Sequence, residues 1–118
     1  LVRISAFSTF RRMTGDETFN AFSALFAEET SLKVLRRAVR IVHSMSQSDA
    51  RNHWALQLAL QNQDREMVEF AVLILGDGLT KYPKNREILH NMLKTQKNRK
   101  IRKVLYKYVM PARKVVAR

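Results

Sequence analysis

The chain has 118 residues, 46% of them apolar, with three glycines, two prolines, no cysteine and a formal net charge of +12. That length supports one domain with a modest core, and so much apolar content with so few chain breakers argues against disorder and against a turn-rich β fold. Without cysteine there is no disulfide, thiolate metal site or thiol nucleophile, and no apolar run approaches the roughly 20 residues that cross a bilayer.

The charge is unevenly placed. Residues 1–79 carry nine basic and nine acidic side chains, whereas residues 80–118 carry thirteen basic side chains against Glu87 alone. A charge excess confined to one end points to a partner.

The chain opens with "LVRISAFSTFRRMTG", which has Arg3, Arg11 and Arg12, no acidic residue, and several Ser, Thr and Phe. This basic arm, residues 1–15, has the composition of a mitochondrial-type presequence or its remnant and suggests the mitochondrial matrix. An ordinary basic arm reads equally well.

Helical periodicity begins after it. Asp16 can cap a helix near 17–29, with Phe19, Phe22 and Phe26 on one face. Thr30 or Ser31 caps a second near 31–46, whose stripe is Leu32, Leu35, Val39 and Val42. Lys33, Arg36, Arg37 and Arg40 cover another side of that helix, either as a second RNA-binding face or as a salt-bridge face that Glu28 and Glu29 partly answer. Ser48 or Asp49 opens a third helix near 49–62 with Trp54 and Leu58, and Asp64 opens a fourth near 65–81. The fourth carries Met67, Phe70, Ala71, Ile74, Leu75 and Gly78, is apolar almost all round, and is expected to be central. Pro83 stops it, and Asn85 is the expected N-cap of a fifth helix near 86–95. The last helix, near 98–110, runs Ile101, Val104, Leu105, Tyr108 and Val109 on one face until Pro111, followed by a basic tail, 111–118.

The helices recur. Leu32, Met67 and Ile101 are separated by 35 and 34 residues, and Phe19, Trp54 and Leu89 by 35 at each step. Such a period, with two helices per unit, marks a stacked array of helical hairpins. Within it, "NHWALQLALQNQDREMVEFAVLILGDGLTKYP", residues 52–83, resembles a tetratricopeptide repeat. With Pro83 at the closing proline, Leu58 and Ala59 fall where the first helix packs, and Ala71, Leu75 and Gly78 fall on the second-helix pattern. Ala55 occupies the tryptophan position, one residue after Trp54, and Asn62 stands where an aromatic is expected. The resemblance covers about one repeat and implies a binding scaffold without a chemistry of its own.

Catalytic patterns are weak. His43, His53 and His90 make no metal-ligand spacing. "HSMSQSD" (43–49) sets a His among serines, but at a helix junction, where capping accounts for these residue types. Gly76 and Gly78 read as close helix packing, not a phosphate loop, and the adjacent Glu28 and Glu29 point in different directions around a helix.

On the last helix Lys100, Lys103 and Lys107 follow one another at three and four residues, with Arg99 and Arg102 beside them, and Lys94, Lys97, Arg113, Lys114 and Arg118 extend the field. Like charges at this spacing repel by a few tenths of a kcal/mol per pair, so an unrelieved run fits an external polyanion, nucleic acid above all. Tyr106, Tyr108 and Tyr82 could stack on unpaired bases, with core packing favoured for Tyr108. In the absence of a base-reading motif, backbone and shape recognition are expected.

The sequence thus leads us to expect an all-α protein of about six helices in three stacked antiparallel hairpins, a short α-solenoid or helical bundle over 16–110. It is expected to be non-catalytic, to need no cofactor or metal, and to bind RNA, with rRNA and neighbouring protein subunits as partners in a ribonucleoprotein such as a mitochondrial ribosome. The rival is an adaptor that holds a peptide or subunit on the hairpin array through the surface around Trp54 and Leu58. Attraction to an anionic membrane surface is a weaker third, since no second anchor accompanies the basic helix.

Overall fold

The computed structural model describes residues 16–62 and 64–109, with side chains from residue 19 onward. The described residues form six helices: α1 (Asp16–Glu28), α2 (Leu32–His43), α3 (Asp49–Gln61), α4 (Arg65–Asp77), α5 (Asn85–Thr95) and α6 (Arg99–Val109). No strand occurs among the described residues. The fold is all-α, a compact helical bundle in which hairpin follows hairpin. The arm 1–15 and the tail 111–118 lie outside the described residues.

The second helix of each hairpin starts in the same way. Ser31 Oγ accepts from Val34 N at 3.4 Å, Asp64 Oδ2 from Met67 N at 3.1 Å, and Asn98 Oδ1 from Ile101 N at 3.1 Å. Each side chain satisfies an amide that the first turn leaves without a helical partner. These three caps sit 33 and 34 residues apart, which corrects the register read from the sequence. Met67 and Ile101 are buried, but Leu32 is 43% exposed, and Val34 takes the equivalent place. Between the second helices the first step is therefore 33 residues and not 35, whereas Phe19, Trp54 and Leu89, 35 residues apart on the first helices, are all buried. A two-residue error turns a helix face by about 200°, enough to move Leu32 from core to solvent.

α4 packs against α2, α3, α5 and α6, while α1 lies on α3 and α5 on α6. The nearly all-round apolarity of α4 has this cause: Met67, Val68, Ala71, Val72, Ile74 and Leu75 are all buried because neighbours cover several sides. Between α1 and α3, Trp54 meets Phe19, Phe22 and Phe26 edge-on at centroid distances of 5.7, 5.8 and 5.2 Å. Such pairs add about 0.5–1.5 kcal/mol each beyond the area they bury.

Helix C-termini are closed by side chains from further along the chain. Arg51, in the first turn of α3, donates from Nε to Val42 O at 3.0 Å and from Nη2 to His43 O at 3.2 Å. Asn85, at the start of α5, donates from Nδ2 to Leu75 O at 3.1 Å and exchanges amide bonds with Asn52 at 2.9 and 3.2 Å. Among the described residues Arg51 and Asn85 are the two buried polar ones, and both serve the end of a preceding helix. Asn85 is thus not the N-cap that the sequence suggested. Lys84 precedes the helix and makes no side-chain cap, while the amide of Asn85 is turned inward. α2 and α4 also end earlier than their periodicity implied, at His43 and Asp77. Ser44 turns its hydroxyl back to Ile41 O at 2.7 Å, and Gly78 closes α4 with its N–H on Gly76 O and Ile74 O.

Candidate nucleic-acid interface

α6 is amphipathic by charge. Ile101 and Leu105 are buried against the bundle, with Val104, Tyr108 and Val109 packed partly beside them. The 3.6-residue turn then directs Arg99, Lys100, Lys103, Tyr106 and Lys107 outward, and all five are exposed. Lys94 at the end of α5 and Lys97 in the following loop are exposed as well. Among the described residues no carboxylate lies within 4.0 Å of the charged group of any of the six basic side chains Lys94, Lys97, Arg99, Lys100, Lys103 and Lys107. Arg113, Lys114 and Arg118 lie outside the described residues.

Arg102 behaves differently from its neighbours. Its Nη1 donates to Leu93 O at 2.7 Å and to Gln96 O at 2.9 Å, closing the end of α5, and its Nη2 donates to the Tyr106 hydroxyl at 3.2 Å. The guanidinium sits 5.6 Å from the Tyr106 ring centroid. Most of its donors are spent inside the protein, so it shapes the surface more than it offers charge to a ligand. Lys97, Arg99, Arg102, Lys103 and Tyr106 together line an open groove of about 420 Å³.

The other two tyrosines are tied down. Tyr82 donates to Asp49 Oδ1 at 2.9 Å. Tyr108 lies against Gly76 and donates to Asp77 Oδ1 at 2.7 Å, with the Lys107 ammonium 5.7 Å from its ring centroid. Burial and the Asp77 hydrogen bond push the Tyr108 phenol well above its ordinary value. Burial raises the Asp77 carboxyl, but hydrogen bonds from Tyr108 and His43 outweigh that and hold it below the usual carboxylate range.

The second basic cluster is partly neutralised, by residues the sequence did not indicate. Arg36 makes a two-pronged contact with Asp64, Nη2 to Oδ1 at 2.7 Å and Nε to Oδ2 at 3.2 Å, and Arg40 pairs with Glu66 at 2.7 Å. Both acids belong to the next hairpin; Glu29 instead accepts from Thr30 N and Ser31 N at 3.0 and 2.7 Å. The Arg36 guanidinium holds Asp64 below its ordinary range. Lys33 and Arg37 are exposed beside these pairs. Sequence reasoning also left Lys81, Lys84 and Arg86 out of the interface, although all three are exposed and Arg86 reaches α6, donating from Nη1 to Tyr108 O at 3.3 Å. Their place on either side of Pro83 made them look like a junction.

His43 Nε2 lies 2.9 Å from Asp77 Oδ2, and Ser48 caps α3 by accepting from Arg51 N at 3.2 Å. Capping and pairing thus engage His43, Ser44, Gln47, Ser48 and Asp49 of "HSMSQSD". Trp54 and Leu58 are only 8% and 9% exposed, so they floor a groove more than they form a surface. That groove, about 360 Å³ between α1 and α3, is bordered by Phe26, Gln57, Gln61 and Asn62. No described helix is long and apolar enough to cross a membrane. Compared with protein families, curated proteins and solved structures, the chain matches none.

Proposed function

We propose that this chain is a non-catalytic, RNA-binding structural subunit of a larger ribonucleoprotein, and that it lays the outer face of α6 on the RNA. The supporting observation is the set Arg99, Lys100, Lys103 and Lys107, all exposed and none within 4.0 Å of a described carboxylate. These cations span about 12 Å of helix axis, and a phosphate chain supplies negative charge continuously over that length. The buried stripe Ile101 and Leu105 fixes the helix to α4 and α5, so the cations are presented on a rigid element. Contacts of this kind position a protein on a backbone and do not read bases. The basic, acid-free composition of residues 1–15 favours the mitochondrion as the compartment, and a ribosome there is the large RNA assembly we propose for it.

The test is copurification from cells with and without ribonuclease, using the wild type and the triple change Lys100→Glu, Lys103→Glu and Lys107→Glu. Recovery of RNA that the triple change abolishes supports the proposal. Partners that survive both ribonuclease and the triple change would refute it. That second outcome fits an adaptor working through the α1–α3 groove, the alternative that the 360 Å³ concavity favours. Charged replacements of the exposed Gln57 and Gln61 would then release the partner.

A further inference from the structure

We infer that the groove on α6 takes an unpaired nucleotide of single-stranded RNA, with the base stacked on Tyr106 and the flanking phosphates on Lys97, Arg99 and Lys103. The inference rests on the RNA reading above and narrows it from any polyanion to a single strand.

Tyr106, 43% exposed, is the one exposed Phe, Trp or Tyr ring among the described residues. It stands inside the cation field, in the groove lined by Lys97, Arg99, Arg102 and Lys103. A lone exposed aromatic is ordinary on a protein surface, but this one is held in place. The Arg102 guanidinium is fixed by the two carbonyls of Leu93 and Gln96, and from there it donates to the Tyr106 hydroxyl at 3.2 Å and rests 5.6 Å from the ring centroid. Arg102 is therefore a positioning residue. It limits the freedom that the ring would otherwise lose on binding, which makes stacking more favourable.

A base on such a platform gains stacking whatever its identity, because every base has a π-face. An RNA duplex keeps its bases stacked inside and offers mainly phosphates and 2′-hydroxyls, so Tyr106 would add little to duplex binding. The cations serve both forms, and only the ring distinguishes them.

The experiment measures binding of the full chain to three labelled probes: a uridine decamer, an RNA duplex of the same length and inorganic polyphosphate. The variants are Tyr106→Leu and Tyr106→Phe, with circular dichroism to check that helix content is kept. Tyr106→Leu is expected to weaken decamer binding about five- to a hundred-fold, the range of one lost base stack, and to leave polyphosphate binding unchanged. Tyr106→Phe keeps the ring and should stay within a few-fold of wild type. Equal loss for the decamer and polyphosphate, or wild-type duplex binding as tight as decamer binding, overturns the single-strand inference and leaves the RNA reading intact. Failure of the wild type to bind either RNA overturns both.

Discussion

The ring of Tyr108 lies against the backbone of Gly76, so closely that a β-carbon on that residue would collide with the ring's Cγ, Cδ2 and Cε2. This contact docks α6, and with it the basic face, on the central helix. Gly76→Ala sets two effects against each other. Alanine improves helix propensity by about 1 kcal/mol, whereas overpacking costs about 1–3 kcal/mol. Because the obstructing atoms belong to a ring that is itself hydrogen-bonded to Asp77, the clash should win. We expect a net loss of about 1–2 kcal/mol in urea unfolding, and no loss when Gly76→Ala is made in a Tyr108→Ala background. Equal costs in both backgrounds would show that the ring is not the obstacle.

Arg51 and Arg102 both close helix ends, but at different depths. Arg51 is 5% exposed, and burial lowers its pKa. Arg51→Met keeps the apolar stem while leaving Val42 O and His43 O without their partner, at a cost of about 1–3 kcal/mol. Arg102 is only half-buried, so water can take its place on Leu93 O and Gln96 O, and Arg102→Met should cost about 1 kcal/mol or less. Thermal or urea unfolding of the two variants gives the order directly, and a reversed order would refute this account.

These two arginines mark the limit of what the sequence discloses. Helix existence was legible because Phe19, Phe22 and Phe26, or Ile101, Val104 and Leu105, recur at helical spacing. The caps were legible to within a residue, as Thr30 or Ser31, Ser48 or Asp49, and Asp64, since a cap bonds an amide three residues away, and Ser31, Ser48 and Asp64 fill the role. The close approach at Gly76 could also be anticipated, because a glycine inside a helical pattern has few other uses. By contrast, Arg51, Asn85 and Arg102 each reach a carbonyl nine or ten residues back, a relation that exists only after two helices have docked. A basic residue of α6 that turns inward therefore looks, in the sequence, like its neighbours that turn outward. Trp54 shows the same gap, since its three phenylalanine partners on α1 could not be assigned from spacing alone.

Asp77 ties three helices together, lying 2.9 Å from His43 of α2 and 2.7 Å from the Tyr108 hydroxyl of α6. Its carboxyl and that of Asp64 both titrate below their ordinary value of 3.8. A depressed carboxyl contributes stability above its unfolded pKa and loses it as the pH falls through the folded one. Stability should therefore hold down to about pH 4 and fall below it. Asp64→Asn should flatten that decline as well as lower the plateau. Tyr108 works on the opposite side. Its phenol is raised above 10.0, so its contribution is present below that pH and lost as the pH rises toward the folded value. Urea midpoints measured across both limbs test these signs, and an acid limb unchanged in Asp64→Asn would refute the first.

Salt dependence separates cations that meet phosphate from those that do not. Each phosphate neutralised on a single strand contributes about 0.7 to the slope of log affinity against log salt. Replacing Lys100, Lys103 and Lys107 with glutamine should make that slope shallower by about 2, because all three are exposed and none has a described carboxylate within 4.0 Å. Arg102→Met should leave the slope nearly unchanged, since its guanidinium is committed to Leu93 O, Gln96 O and Tyr106. Arg36 and Arg40, already answered by Asp64 and Glu66, should likewise contribute less than Lys33 and Arg37 if α2 takes part at all. Titrations from about 50 to about 200 mM salt cover the range in which several phosphate contacts shift affinity by orders of magnitude. A slope that falls as much for Arg102→Met as for a single lysine of α6 would mean that the guanidinium leaves the end of α5 to meet the RNA. The groove would then have to be formed by the ligand and not by the fold.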